Sequence, residues 1–249
     1  MRKCLAPILC ALLAFFCASP MLAQNTIKTV LPSAQADLAA VGRLTIAGQG
    51  FCTATAIAAD VVLTAAHCLI DSRMNTPVDP SRIHFLAGMR AGTFVADAAA
   101  ARILITPGFD RRAGHVASDI ALVILDERLP ANVQPLPVDP TMRPDLPLTL
   151  LSYRIDRAQF LSMEQGCRIS RVAGGILQTT CEGVPGVSGA PILQDRDGVL
   201  TVTGVASAIQ RKRGASGVAR GAVLAAATTH LPAGCGQPGG SAHCLGLRH

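Results

Sequence analysis

The sequence predicts an all-β fold, a sandwich or barrel arranged in two halves of about six short strands each. Three observations lead there. The apolar runs are short. Gly, Pro, Asn and Asp interrupt them too often for helices of ordinary length. A proline-rich stretch over residues 126–147 then separates the runs into two sets.

Taken in order, the chain opens with Arg2 and Lys3, an apolar stretch from Cys4 to Ala18, and then Pro20 and Ala23. That is the layout of a secretory signal over 1–23, with cleavage expected after Ala23. The stretch falls short of the ~20 apolar residues a spanning helix needs, which argues against a retained anchor. No later run is apolar for long enough to cross a bilayer. Residues 24–40 read as an N-terminal segment or a propeptide. The first half, 41–130, offers strands at 41–47, 51–58, 61–64, 82–86, 102–106 and 119–125. Residues 94–101 are alanine-rich and helical by propensity alone, yet are read as strand.

The connector carries Pro130, Pro135, Pro137, Pro140, Pro144 and Pro147, and proline lacks the N–H that a ladder needs. The second half, 131–231, offers strands at 148–153, 166–169, 175–180, 191–193, 200–206 and 218–224, and a short helix at 224–231. The tail, 232–249, is Gly-rich and irregular. No internal repeat is present.

Nine cysteines, less Cys4, Cys10 and Cys17 of the signal, leave six. An even number in an exported chain points to disulfides, and six cysteines can pair in fifteen ways. Neighbours along the chain suggest Cys52–Cys68, Cys167–Cys181 and Cys235–Cys244. No Cys-x-x-Cys or His-x-x-x-His spacing supports a metal site. The formal charge of +6 becomes +4 once Arg2 and Lys3 are removed. That charge is too small and too scattered for nucleic-acid binding, and its one cluster, Arg211-Lys212-Arg213, reads as a solvated turn. With one tyrosine and no tryptophan there is no stacking platform for bases.

Three short segments carry chemistry. Thr64-Ala65-Ala66-His67-Cys68 ends an apolar run with a histidine. Ser118-Asp119-Ile120-Ala121-Leu122-Val123 brings an aspartate into a strand. Gly186-Val187-Ser188-Gly189-Ala190-Pro191 sets a serine in a tight turn. A base, an orienting carboxylate and a hydroxyl nucleophile are the parts of an acyl-transfer site. Taken singly, each has a plain structural reading: a core histidine, a turn aspartate, a loop serine.

Together, in this order and spacing, the segments resemble those of the trypsin-like (chymotrypsin-fold) serine proteases, over about residues 41–223. The resemblance implies two antiparallel six-stranded β-barrels with the cleft between them, a staple at Cys52–Cys68, and an acyl-enzyme mechanism on polypeptides. His67 would be the general base, Asp119 its orienting partner and Ser188 the nucleophile. The amides of Gly186 and Ser188 would form the oxyanion hole. No metal or organic cofactor is implied, and a monomer is expected.

Two departures agree with each other. Val187 stands where the digestive and clotting branch has an aspartate, and no Ile-Val-Gly-Gly-like start precedes Val41. The salt bridge to a freed amino terminus is therefore not expected to be needed. The chain is similar instead to the bacterial branch related to glutamyl endopeptidases, with Cys167–Cys181 helping to order the oxyanion loop. By register, Glu182 falls at the base of the primary pocket, where a carboxylate would favour Arg or Lys. Its alternative is a surface carboxylate beside a disulfide. Ser207 resembles the strand that pairs with substrate backbone, and Gly217 the opposite wall. Ala208 and Ile209 replace the usual aromatic and glycine, which would reshape or narrow the pocket. The rival function is a non-catalytic protein-binding homologue on the same scaffold. An esterase ranks last, because Ala190 stands where a Gly-x-Ser-x-Gly elbow needs glycine.

Overall fold

The computed structural model of the chain describes residues 26–211 and 221–228. The expected signal segment, Gly217, and the tail with its Cys235–Cys244 bond lie outside the described residues.

The chain starts with β1 (Thr26–Thr29) and a single helical turn, α1 (Pro32–Gln35). Six strands follow: β2 (Val41–Ile46), β3 (Gly50–Ala58), β4 (Val61–Thr64), β5 (Ile83–Ala87), β6 (Ala96–Ile105) and β7 (Ala121–Leu125). They close into an antiparallel barrel in the order β2-β3-β4-β7-β6-β5. Closure removes both edges, so no strand is left to pair with another chain. Leu44, Leu63, Ile83 and Phe85 fill the interior and are fully buried. Each such side chain contributes about 1.5–3 kcal/mol by leaving water. The alanine-rich run expected as strand is strand: β6 begins at Ala96, and its small side chains pair with β5 and β7.

The proline-rich connector carries no strand. It crosses from the barrel, where Leu136 N donates to Ala56 O at 2.9 Å, to the second half, where Val138 forms an isolated parallel bridge with Val202 through Val202 N to Pro137 O at 2.8 Å and Asp139 N to Val202 O at 3.0 Å.

The second half contains β8 (Leu148–Tyr153), β9 (Leu161–Cys167), β10 (Ile169–Ala173), β11 (Ile176–Gly183), β12 (Pro191–Arg196), β13 (Val199–Arg211) and β14 (Gly221–Ala227). With β1 they make an eight-stranded sheet in the order β1-β9-β8-β12-β13-β14-β11-β10. This corrects the expectation of a second closed, six-stranded barrel. The sheet curls without its end strands pairing, and the Cys167–Cys181 disulfide joins β9 to β11 across the opening. A covalent link stands where a ladder would otherwise close the ring.

The expected C-terminal helix is also corrected. Of the expected span, residues 224–227 belong to β14, which pairs with β13 on one side and β11 on the other, and residues 229–231 lie outside the described residues. Alanine's helix propensity is outweighed because Val223, Ala225, Ala226 and Ala227 are buried between neighbouring strands.

Residues 26–40 are integral to the fold. β1 pairs with β9 in the second sheet. Gln35 then donates from Nε2 to Gly88 O and Met89 O of the first barrel, both at 2.8 Å, and Ala39 and Ala40 are buried. The segment ties the two halves together. Among the described residues, no helix is long and apolar enough to cross a membrane.

Candidate active site

β4 ends at Thr64 and the chain enters a 3-10 turn, Ala66–Leu69, pinned to β3 by the Cys52–Cys68 disulfide. That turn carries His67. Its backbone N donates to Asp119 Oδ1 at 2.8 Å, and its Nδ1 lies 2.7 Å from Asp119 Oδ2. Asp119 is 4 % exposed, at the entry to β7. Burial by itself would raise the pKa of its carboxyl. The hydrogen bonds from His67 and Ser207 outweigh that and hold it below the ordinary carboxylate value. An ionised Asp119 can only accept, so it places the His67 proton on Nδ1 and leaves the lone pair on Nε2. Nε2 lies 3.8 Å from Cys68 Sγ, and no hydrogen bond joins it to the Ser188 hydroxyl among the described residues.

Ser188 is half-buried in the turn between β11 and β12. Among the described residues, the hydrogen bonds that hold the turn from the first barrel come from Thr53 of β3. Thr53 N donates to Ser188 O at 2.9 Å, and Thr53 Oγ1 donates to Gly186 O at 2.9 Å. The same hydroxyl accepts from Tyr153 N at 2.9 Å, while Thr53 O accepts from Thr64 Oγ1 at 3.0 Å. Gly189 N donates to Ala206 O at 2.7 Å. A Cβ on Gly189 would lie 2.2 Å from Thr53 O and from Thr64 Oγ1, so only glycine fits where the serine turn meets the strand leading to His67.

The peptide planes around Ser188 are set by their carbonyls. Pro185 O accepts from Ile155 N at 2.8 Å, and Val187 O accepts from Ala190 N at 2.9 Å. In a trans peptide the N–H points opposite to the C=O. The N–H groups of Gly186 and Ser188 are thereby turned away from those anchors. Gly186 has φ +92°, and a Cβ there would lie 2.5 Å from Tyr153 O and 2.8 Å from the Phe51 ring. Val187, at the position of the missing aspartate, is 2 % exposed and packs in the apolar core of the second sheet.

Of the expected pocket residues, Ser207 Oγ donates to Asp119 Oδ2, so its side chain serves the carboxylate. Glu182 sits on β11, and its Oε1 accepts from Arg154 Nη2 at 3.1 Å. Ile209 takes up the room beside two glycines: a Cβ on Gly183 would lie 2.8 Å from its Cγ1, and one on Gly221 2.9 Å from its Cγ2. A cavity of about 210 Å³ opens on the other flank of His67, lined among others by Phe109, Arg111, His115 and Ala208.

Sequence reasoning missed Thr53, Arg154 and Arg111. Arg111 donates from Nη1 to His67 O at 2.9 Å and Ile70 O at 3.1 Å, tying the 107–116 loop to the histidine turn. For Thr53 a signal existed, since a hydroxyl at a buried strand position needs a partner. For the two arginines none did. Two clusters of metal-ligating residue types occur among the described residues, Cys52-His67-Cys68 and Glu164-Cys167-Cys181. In both, the cysteines are in disulfides and offer no thiolate.

Comparisons with known proteins bear on the fold and the family. No curated protein matches the sequence. Among solved structures the chain is similar to a Glu endopeptidase in complex with MPD, at 19 % identity and TM-score 0.64, covering 81 % of this chain and 92 % of that one. It is also similar to a thermostable serine protease from an extremophilic microorganism, at 18 % identity and TM-score 0.62, covering 77 % and 92 %. These likenesses establish the fold. The profile of the trypsin-like peptidase domain matches residues 48–205, a span that contains His67, Asp119 and Ser188. With well over half of its length inside that match, the chain belongs to the trypsin-like peptidase family, as a serine-type endopeptidase.

Proposed function

We propose that the chain is an exported endopeptidase in which His67, Asp119 and Ser188 form the catalytic triad. The observation that carries this reading is the buried Asp119 carboxylate. It holds both the backbone and the ring of His67, at 2.8 and 2.7 Å, and so leaves the lone pair on Nε2. Ser188 Oγ attacks the scissile carbonyl carbon while its proton passes to His67 Nε2. The carbonyl oxygen takes the negative charge and is met by the N–H groups of Gly186 and Ser188. His67 then protonates the departing amine, leaving an acyl-enzyme that water hydrolyses by the same route. Free catalytic hydrogen bonds often tighten only with substrate bound, which accommodates the open Ser188–His67 contact.

Polypeptides are the substrates. Export is supported by the signal-like segment 1–23 and by the two disulfides. The finer expectation, cleavage after Arg or Lys through Glu182, meets a counter-argument. The Glu182 carboxylate already faces the Arg154 guanidinium, which offsets the charge a cationic side chain would seek. A peptide-library profile of wild type and Glu182→Ala decides it: an Arg/Lys preference lost in the variant supports the pocket role, and an unchanged profile rejects it.

The second reading, a non-catalytic binding protein, is favoured only by the absence of a Ser188–His67 hydrogen bond among the described residues. A fluorophosphonate probe separates the two. The triad reading expects labelling of wild type and none of Ser188→Ala; a folded wild type that stays unlabelled supports the binder.

A further inference from the structure

We infer that Arg154 is a positioning residue, and that the ion-pair cluster Arg154–Glu182–Asp156 orders the oxyanion turn of this chain. The inference rests on the triad reading above for its catalytic consequence, though not for its structural one.

Arg154 follows β8 and its side chain is 3 % exposed, an unusual place for a guanidinium. It is engaged through two of its nitrogens. Nε and Nη2 meet Asp156 Oδ1 and Oδ2 at 3.0 and 3.2 Å, and Nη2 also meets Glu182 Oε1 at 3.1 Å. A planar fork of this kind fixes the orientation of both carboxylates, which a lysine could not do.

The cluster acts on the turn because of where its members lie. Glu182 is the penultimate residue of β11, three residues before Pro185. Ile155, next to Arg154, donates from N to Pro185 O at 2.8 Å. The segment 153–156 therefore grips the approach to Ser188 at both ends, by an ion pair at Glu182 and by a backbone bond at Pro185. The second grip is the one that turns the Gly186 N–H away from Ile155 and toward the place of the oxyanion. If it is lost, the 185–186 peptide is free to rotate and present its carbonyl there.

Val187, next to the serine, is buried in an apolar core and offers the turn no charged contact of its own. The Arg154 cluster supplies a fixed charge contact at the other end of the same loop. Glu182 thereby acquires a role as the partner of Arg154.

Two variants test this: Arg154→Met, which keeps length and apolar bulk, and Glu182→Gln, the milder change in case the first fails to fold. Arg154→Lys serves as the conservative control. Hydrogen exchange followed by peptide mass spectrometry is the first measurement. The inference expects faster exchange confined to residues 153–158 and 182–188, with β2–β7 unchanged. Fluorophosphonate labelling is the second, with a fall in rate of at least tenfold in Glu182→Gln, partial recovery in Arg154→Lys relative to Arg154→Met, and an unchanged pH midpoint. Unaltered exchange at 182–188 in folded Glu182→Gln overturns the inference. A wild type that resists the probe, while the variants still lose local protection, sinks the hydrolase reading and leaves the ordering role standing.

Discussion

Replacing Thr53 by valine isolates what holds the two halves of the site together. The side chains are nearly isosteric, so no cavity opens and only the hydroxyl is lost. In the native structure that hydroxyl accepts from Tyr153 N and donates to Gly186 O, both at 2.9 Å, at a position with no solvent exposure. The orphaned Tyr153 N–H is buried and costs about 1–3 kcal/mol; the Gly186 carbonyl is only partly buried, so water can replace some of its loss. A net destabilisation of about 2–3 kcal/mol follows, which for a urea slope of ~1–3 kcal/mol per molar moves the midpoint down by about 1–3 M. The serine turn loses the side-chain half of its tether to β3, keeps the Thr53 N to Ser188 O bond, and keeps its oxyanion N–H groups. The labelling rate should therefore fall about tenfold, short of the ~10²–10³ seen when an oxyanion donor is removed outright. Urea unfolding followed by far-UV circular dichroism, with probe labelling at native conditions, measures both. Thr53→Ser keeps the hydroxyl and should stay close to wild type in labelling. If Thr53→Val matches wild type in midpoint and rate, the cross-barrel tether is irrelevant and this reasoning fails.

Three further outcomes are expected. Removing the Cys52–Cys68 staple, by Cys52→Ala with Cys68→Ala, frees a loop of sequence separation 16. It should cost ~3 kcal/mol by the loop-entropy relation, with thermal unfolding as the check and no change in melting temperature as the contrary result. Gly186→Ala forces a Cβ to within 2.5 Å of Tyr153 O at φ +92°, so the turn must shift; labelling should drop about a hundredfold, and an unimpaired variant would refute the assigned oxyanion peptide. Acid stability should depend on Ser207. The folded pKa of Asp119 is depressed, so its contribution is complete above the unfolded value of about 3.9 and disappears as pH falls through the folded value. Ser207→Ala removes one donor and raises the folded pKa, so the acid loss of stability should begin at the same pH, be smaller in size and be complete at higher pH. Superimposable stability curves for wild type and variant over about pH 2–6 would contradict this.

Much of the first barrel was legible because its strands alternate or run apolar between clear turn residues. The expected strands at 41–47, 51–58 and 61–64 fall on β2, β3 and β4 within a residue. The second half was less legible. β9 carries Ser162, Glu164 and Gln165 among its apolar residues, and buried Glu164 looks like a loop residue until its partner, the N–H of Glu182, is in view. β14 is a run of small residues whose helix propensity is real and is overruled by strands on both sides. Of the site, His67, Asp119 and Ser188 were visible as motifs. Ser207 was visible only as a strand position, and its bond to Asp119 spans 88 residues of sequence.

The amino-acid sequence by itself determined the class of fold, the three chemistry-bearing segments and the two disulfides seen here, because each is written in local pattern or in neighbouring cysteines. Tertiary structure alone decided that the second sheet stays open, that residues 26–40 belong to the body, and that Thr53 and Arg154 hold the serine turn from outside. The physical reason is range. Periodicity and turn chemistry act over a few residues, whereas a buried hydroxyl or guanidinium chooses partners, such as Thr53 with Tyr153 and Arg154 with Glu182, that only folding brings within hydrogen-bond reach.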